Sequence, residues 1–128
     1  MGLTHVEVII ANPANPRRTK TLSLLVDSGA VYSVVPKTVL GQLGVKSHST
    51  KTFTLADGSK IKRKVGDAVF KLNEHQGASP VIFGEKGDST LFGTVSLEAL
   101  GLLLDPIRRE LRPLPMVLGS HRSRPGRN

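Results

Sequence analysis

The 128-residue chain contains no cysteine and no tryptophan, and its aromatic residues are four phenylalanines and one tyrosine. Without cysteine, neither a disulfide nor a thiolate-bound metal can brace the fold, which fits a reducing compartment. So few aromatic rings leave little from which to build a stacking platform for single-stranded nucleic acid. The histidines His5, His48, His75 and His121 stand singly, and no pair has the H-x-x-x-H spacing of zinc ligands, so no metal and no cofactor is expected. No apolar run approaches the roughly 20 residues that span a bilayer. The start, Met1-Gly2-Leu3-Thr4-His5, lacks a basic segment followed by an apolar one; no signal peptide and a cytoplasmic location are expected.

Positive charge is plentiful: the formal net charge is +8. It is spread in short runs, Arg17-Arg18 with Lys20, Lys60 to Lys64, Arg108-Arg109 with Arg112, and Arg122, Arg124 and Arg127 near the end. This reads as solvated surface, and nucleic acid as a partner is not expected. The length suits one domain with one modest core, placed at 1–118, with 119–128 a basic, disordered tail.

Along the chain the signals are those of short strands. Val6 to Ile10 and Leu22 to Val26 read as a hairpin joined by a Pro/Asn-rich loop over 11–18. Val31 to Val35 is an apolar run stopped by Pro36, and Lys37 to Leu43 has room for one helical turn closed by Gly44. Thr50 to Leu55 alternates polar and apolar, Asp57-Gly58 is a hairpin-turn dipeptide, and Lys60 to Val65 returns as a charged strand out in solvent. Val69 to Leu72 and Val81 to Phe83 follow, joined by a polar turn over 73–79. Leu91-Phe92-Gly93 is an apolar strand end; Ser96 is placed to cap a short helix through Leu100, ended by Gly101. Leu102 to Leu104, Arg109 to Leu111 and Met116 to Leu118 read as closing strands. Many short strands and one short helix near the C-terminus imply a mostly-β domain, a small closed barrel or sandwich.

The residues that carry chemistry are Leu25-Val26-Asp27-Ser28-Gly29-Ala30. An apolar strand delivers a lone carboxylate into a Ser-Gly turn. A desolvated carboxylate is costly, so a strand of this kind seldom ends on Asp unless something uses or satisfies the charge. Gly29 lets other groups approach the backbone closely.

This segment resembles the catalytic loop of aspartic proteases. Its order along the chain, before an exposed hairpin tipped by Ala56-Asp57-Gly58-Ser59 and then Leu91-Phe92-Gly93 with a helix, resembles the retropepsin-like family. Phe92 to Leu102 with Asp105-Pro106 looks especially like small, stand-alone prokaryotic members. The resemblance implies a homodimeric, closed acid-protease barrel. It implies that Asp27 is the catalytic residue, with Ser28, Gly29 and Ala30 supporting its loop. Ala56, Asp57, Gly58 and Ser59 become the flap that closes over substrate, and Gly93 a structural residue beside the site. Retroviral members usually carry acidic residues after the Gly-Ala and an Arg after the later Gly; here Val31, Tyr32 and Thr94 stand there. That puts retroviral dimer contacts and substrate preferences in doubt, but not the catalytic loop.

In this family two carboxylates share one water: one takes its proton, the other donates a proton to the scissile carbonyl oxygen. One Asp per chain then requires a second copy, with Asp27 of each meeting on a two-fold axis. An extended peptide or protein substrate would bind as an added strand. Val31, Val35, Ile82 and Leu91 read as pocket or core, and Leu111 to Leu118 as strands that could span the dimer. Two other readings stand beside this one. One is an inactive dimerisation or peptide-binding module on the same fold. The other is a basic nucleic-acid-binding β domain, which would bind with steep salt dependence and be indifferent to Asp27.

Overall fold

The computed structural model describes residues 4–115, 118 and 119. Nine strands and two short helices follow one another as β1 (Thr4–Asn12), β2 (Asn15–Val26), β3 (Ser33–Pro36), α1 (Lys37–Gln42), β4 (Ser47–Thr54), β5 (Lys60–Leu72), β6 (His75–Gly84), β7 (Leu91–Phe92), α2 (Thr94–Ala99), β8 (Leu102–Asp105) and β9 (Glu110–Pro113). Seven strands form one sheet in the order β1-β2-β7-β3-β6-β5-β4. A further pairing of β1 with β5, Ile9 to Ala11 against Lys71 to Val69, bends that sheet into a barrel-like ring. β4 lies outside the ring, paired with the first half of β5 to make a projecting hairpin. β8 and β9 pair as a separate two-stranded ribbon.

Alternation of side chains across each strand decides what fills the ring. Val8 and Ile10 of β1, Leu24 and Val26 of β2, Ala68 and Phe70 of β5 and Val81 of β6 are fully buried, while their strand neighbours Ile9, Ser23 and Lys71 are exposed. Phe70 and Phe92 meet with ring centroids 5.6 Å apart. Leu40 from α1 and Leu97 from α2 join the same cluster. Each such side chain contributes about 1.5–3 kcal/mol of burial free energy.

Several elements differ from their sequence-based expectation. Helix is not confined to the C-terminal end: α1 is a second helix of six residues, ended by Gly44 at φ +78°. The loop expected over 11–18 shrinks to Pro13-Ala14, because β2 begins at Asn15, with a register shift between Ala11 and Asn12. β5 runs unbroken through Gly66, and β6 begins at His75, leaving Asn73-Glu74 as the turn where 73–79 was expected. Ser96 caps nothing: the N-cap position of α2 is Gly93, and Ser96 is buried inside the helix. The last expected strand includes Met116 and Val117, which lie outside the described residues, as does the tail from Ser120; Leu118 is exposed and not in a strand.

The short strand β7 shapes the region of interest. It lies between β2 and β3, parallel to the first (Val26 beside Phe92) and antiparallel to the second (Val34 beside Leu91). The segment 27–32 must therefore arch over β7 to connect its two neighbours.

Candidate active site

Asp27 is the first residue after β2, half-buried, and its amide donates to the Phe92 carbonyl at 3.5 Å. Its carboxylate Oδ1 accepts the Gly29 amide at 2.9 Å, and the Ala30 amide donates back to the Asp27 carbonyl at 3.0 Å. The tight turn so formed leaves Ser28 and Gly29 exposed at its crest. A Cβ at Gly29 would stand 3.3 Å from the Asp27 Oδ1, so glycine also keeps the approach to the carboxylate open.

The far side of this loop is held by α2. Thr94 N–H donates to the Ala30 carbonyl (2.9 Å) and Val95 N–H to the Val31 carbonyl (3.0 Å). Such close approach of two backbones is possible only because residue 93 has no side chain. A Cβ there would lie 2.5 to 2.7 Å from the Tyr32 carbonyl group and the Val31 oxygen. Beneath the contact runs a buried chain of hydroxyls. Gly93 N–H donates to Ser33 Oγ (2.9 Å), Ser33 Oγ bonds Ser96 Oγ, and Ser96 Oγ bonds Ser79 Oγ at 2.7 Å. Three elements, β3, α2 and β6, are thereby tied under the Asp27 loop, with their buried hydroxyls satisfied as low dielectric demands.

A cleft of about 620 Å³ opens beside the loop. Gly29 and Ala30 form part of its floor, and Val31, Tyr32, Val34, Ile82 and Leu91 extend it. The opposite wall is the projecting hairpin, through Phe53, Thr54 and Leu55 of β4 and its turn and Ile61 and Arg63 of β5. Tyr32 and Phe53 touch edge to face across it, ring centroids 6.3 Å apart. Asp88 and Ser89 complete the lining from the loop before β7. Of the residues singled out in sequence, Gly29, Ala30, Val31, Ile82 and Leu91 line the cleft, and Val35 is core. Asp27, Ser28 and the hairpin tip Ala56 to Ser59 are not among its lining residues, and Gly93 lies under the loop. Phe53, Ile61, Arg63 and Asp88 were not singled out, and Tyr32 was noted only as a departure from the retroviral pattern. The charges of 60–65 read as a strand out in solvent, whereas Ile61 and Arg63 are partly buried and line the cleft beside the Asp27 loop.

The remaining aspartates are each engaged locally. Asp57 at the hairpin tip accepts the Ser59 hydroxyl and amide, which together hold it below the usual carboxylate range; Gly58 follows at φ +88°. Asp67 meets His48 at 3.3 Å. Asp88 takes two bonds from Arg63, at 2.7 and 2.9 Å, and one from the Glu85 amide, and the guanidinium pulls its pKa down while Asp88 raises that of Arg63. Asp105 accepts the Arg108 and Ile107 amides and Arg112, the Arg108 amide doing most to lower its pKa. The Asp27 carboxylate, by contrast, is held by one amide of its own turn. Among the described residues no three His, Asp or Glu side chains cluster so as to hold a metal ion, and no helix is long and apolar enough to cross a membrane.

No protein-family model matches the chain, and no curated protein matches it in sequence. Among solved structures, the solution structure of Simian Foamy Virus (mac) protease is similar, with a TM-score of 0.52 and 19% identity over 74% of this chain and 92% of that one. At that identity the likeness is one of fold. The architecture is therefore that of the retropepsin-like fold, mostly β, with a barrel-like ring of strands.

Proposed function

We propose that this protein is an aspartic endopeptidase that acts as a homodimer, with Asp27 of each subunit forming one dyad. The observation that carries the reading is the Asp27 carboxylate, held by one amide of its own braced turn, beside a mostly apolar cleft walled by a projecting hairpin. The four other aspartates are each engaged with local partners, so the second aspartate of the dyad is taken to come from a second copy. A pure binding module gains nothing from bringing two like charges together. The segment Phe92 to Leu102 with Asp105-Pro106 favours a small, stand-alone prokaryotic-type member, and Val31, Tyr32 and Thr94 lack the residues of the retroviral dimer contacts.

In the proposed reaction an extended peptide lies in the cleft as an added strand, and the hairpin, acting as flap, closes over it and excludes water other than the nucleophile. The ionised Asp27 takes a proton from that water as its oxygen bonds to the scissile carbonyl carbon. The partner's Asp27, protonated, donates to the carbonyl oxygen. The tetrahedral diol then collapses: the C–N bond breaks, the amine leaves with a proton from the dyad, and the new carboxyl remains on the other fragment.

The test compares the wild-type chain with Asp27→Asn on a mixed peptide library across a range of pH, with the oligomeric state followed by sedimentation. Cleavage by the wild type alone, blocked by a statine-type inhibitor, supports the dyad. Equal cleavage by both proteins identifies a contaminant. A stable dimer that cleaves nothing moves the inactive peptide-binding module ahead.

A further inference from the structure

Among the described residues the cleft wall is mostly apolar, with the hydroxyls of Tyr32, Thr54 and Ser89, and it carries charge at one place. Arg63 on β5 and Asp88 on the loop before β7 both line it, and they are its only charged lining residues. They face each other in a two-pronged ion pair, Nε to Oδ2 at 2.7 Å and Nη2 to Oδ1 at 2.9 Å. The side chains are 17% and 23% exposed, so each is largely withdrawn from water yet keeps a surface toward the cleft. Both ends are braced. Asp88 Oδ2 also accepts the Glu85 amide at 2.8 Å, and Arg63 Nη1 donates to the Lys62 carbonyl at 2.8 Å.

Donor and acceptor accounting shows what this wall presents. Guanidinium has five N–H donors and a carboxylate about four lone-pair sites. Three of each are used, which leaves a polar but electrically neutral surface. A charged substrate side chain arriving here would have to enter a partly dry site with no partner, or pull the ion pair apart. Both are unfavourable, because an unpaired charge in such a site forfeits its hydration. Neutral side chains meet Tyr32, Phe53, Ile61 and Leu91 instead.

Resting on the reading of the cleft as a peptide site, we infer that Arg63 and Asp88 together are its specificity determinant: paired, they exclude charged side chains from one subsite, and either one alone recruits the opposite charge. Removal of Asp88 leaves a guanidinium in the wall that a substrate carboxylate can satisfy. Removal of Arg63 leaves a carboxylate that a substrate Lys or Arg can satisfy. Removal of both restores neutrality.

The test measures binding of reduced-amide peptides, which are not cleaved at the reduced bond, with Leu, Gln, Glu or Lys placed in turn at each position. The proteins are wild type, Asp88→Asn, Arg63→Met and the double variant, titrated by calorimetry. The wild type ranks Leu first at one position. At that position Asp88→Asn gains about tenfold or more for Glu relative to Leu, the scale of a charge-assisted hydrogen bond, and Arg63→Met gains as much for Lys. The double variant returns to the wild-type ranking. If one single variant does not fold, the other carries the test, since it too must shift the ranking toward the opposite charge. Identical rankings in all proteins, or no binding at all, overturn the inference. Cleavage of the corresponding ordinary peptides is scored separately. A wild type that ranks the reduced peptides as expected yet cleaves none overturns the catalytic reading and leaves the subsite standing.

Discussion

Replacing Gly93 by Ala puts one methyl group where two backbone segments touch. The added Cβ would stand 2.5 Å from the Tyr32 carbonyl carbon, 2.6 Å from the Val31 oxygen and 2.7 Å from the Tyr32 oxygen, against an ordinary contact of 3.4 Å or more. These are main-chain atoms, so no side chain can swing aside. The loop must retreat from α2 by about 0.7 to 0.9 Å. The bonds that cross the contact, Thr94 N–H to Ala30 and Val95 N–H to Val31, start at 2.9 and 3.0 Å and would pass beyond useful length. Two lost hydrogen bonds at about 1 kcal/mol each, with about 1–3 kcal/mol of overpacking strain, give a loss of about 3–5 kcal/mol. For a domain whose total stability is about 5–15 kcal/mol this is a severe change. Urea denaturation followed by circular dichroism, at one fixed protein concentration, measures it: the midpoint should fall by about 2 M for a slope near 2 kcal/mol/M. A midpoint within about 0.3 M of wild type would refute the claim that this contact braces the Asp27 loop.

Three further outcomes follow from the same structure. Gly41→Ala, in α1 with open space around its would-be Cβ, should stabilise the chain by about 0.4–1 kcal/mol, seen as a raised urea midpoint. Ser33→Ala removes the acceptor of the Gly93 amide and one partner of Ser96 in a buried site, and should cost about 1–3 kcal/mol in the same assay. Asp88 and Asp105 have folded pKa values below their unfolded ones, set chiefly by Arg63 and by the Arg108 amide. Their contribution is therefore full above about pH 4 and is lost as pH falls through the folded values, so Asp88→Asn should show a shallower loss of stability between pH 5 and pH 3, at about those limits, than wild type.

The site was legible where one short segment carries both conformation and chemistry. Asp27 to Ala30 needs its Ser-Gly turn, the 56–59 tip needs its Asp-Gly, and Gly93 needs its missing side chain; each demand is local and shows in residue type. Less legible were features decided by packing at a distance. Gly66 and Gly77 suggest breaks, yet both lie inside long strands. Their bareness lets another backbone pass, the Lys46 carbonyl 2.7 Å from a would-be Cβ at Gly66 and the Ala99 carbonyl against Gly77. Ser96 has the residue type of a helix cap, but its hydroxyl serves Ser33 and Ser79, 63 and 17 positions away. Arg63 reads as one more charge in a basic strand until Asp88, 25 residues on, turns it into a cleft wall. Propensity sees the chain's neighbours in sequence, and these roles belong to neighbours in space.

The insertion of β7 between β2 and β3 has a consequence in time. The strands that flank the Asp27 loop end at Val26 and begin at Ser33, but the strand that separates them arrives only with Leu91 and Phe92. On a ribosome adding about 5–20 residues per second, the loop residues emerge several seconds before the segment that gives them their arch. Until then Ala30 and Val31 have no amides of α2 to bind, and the carboxylate sits in an unformed turn. A chain still being synthesised thus carries Asp27 early but the arch of its loop late, because the strand that separates β2 from β3 is among the last parts of the sheet to be made.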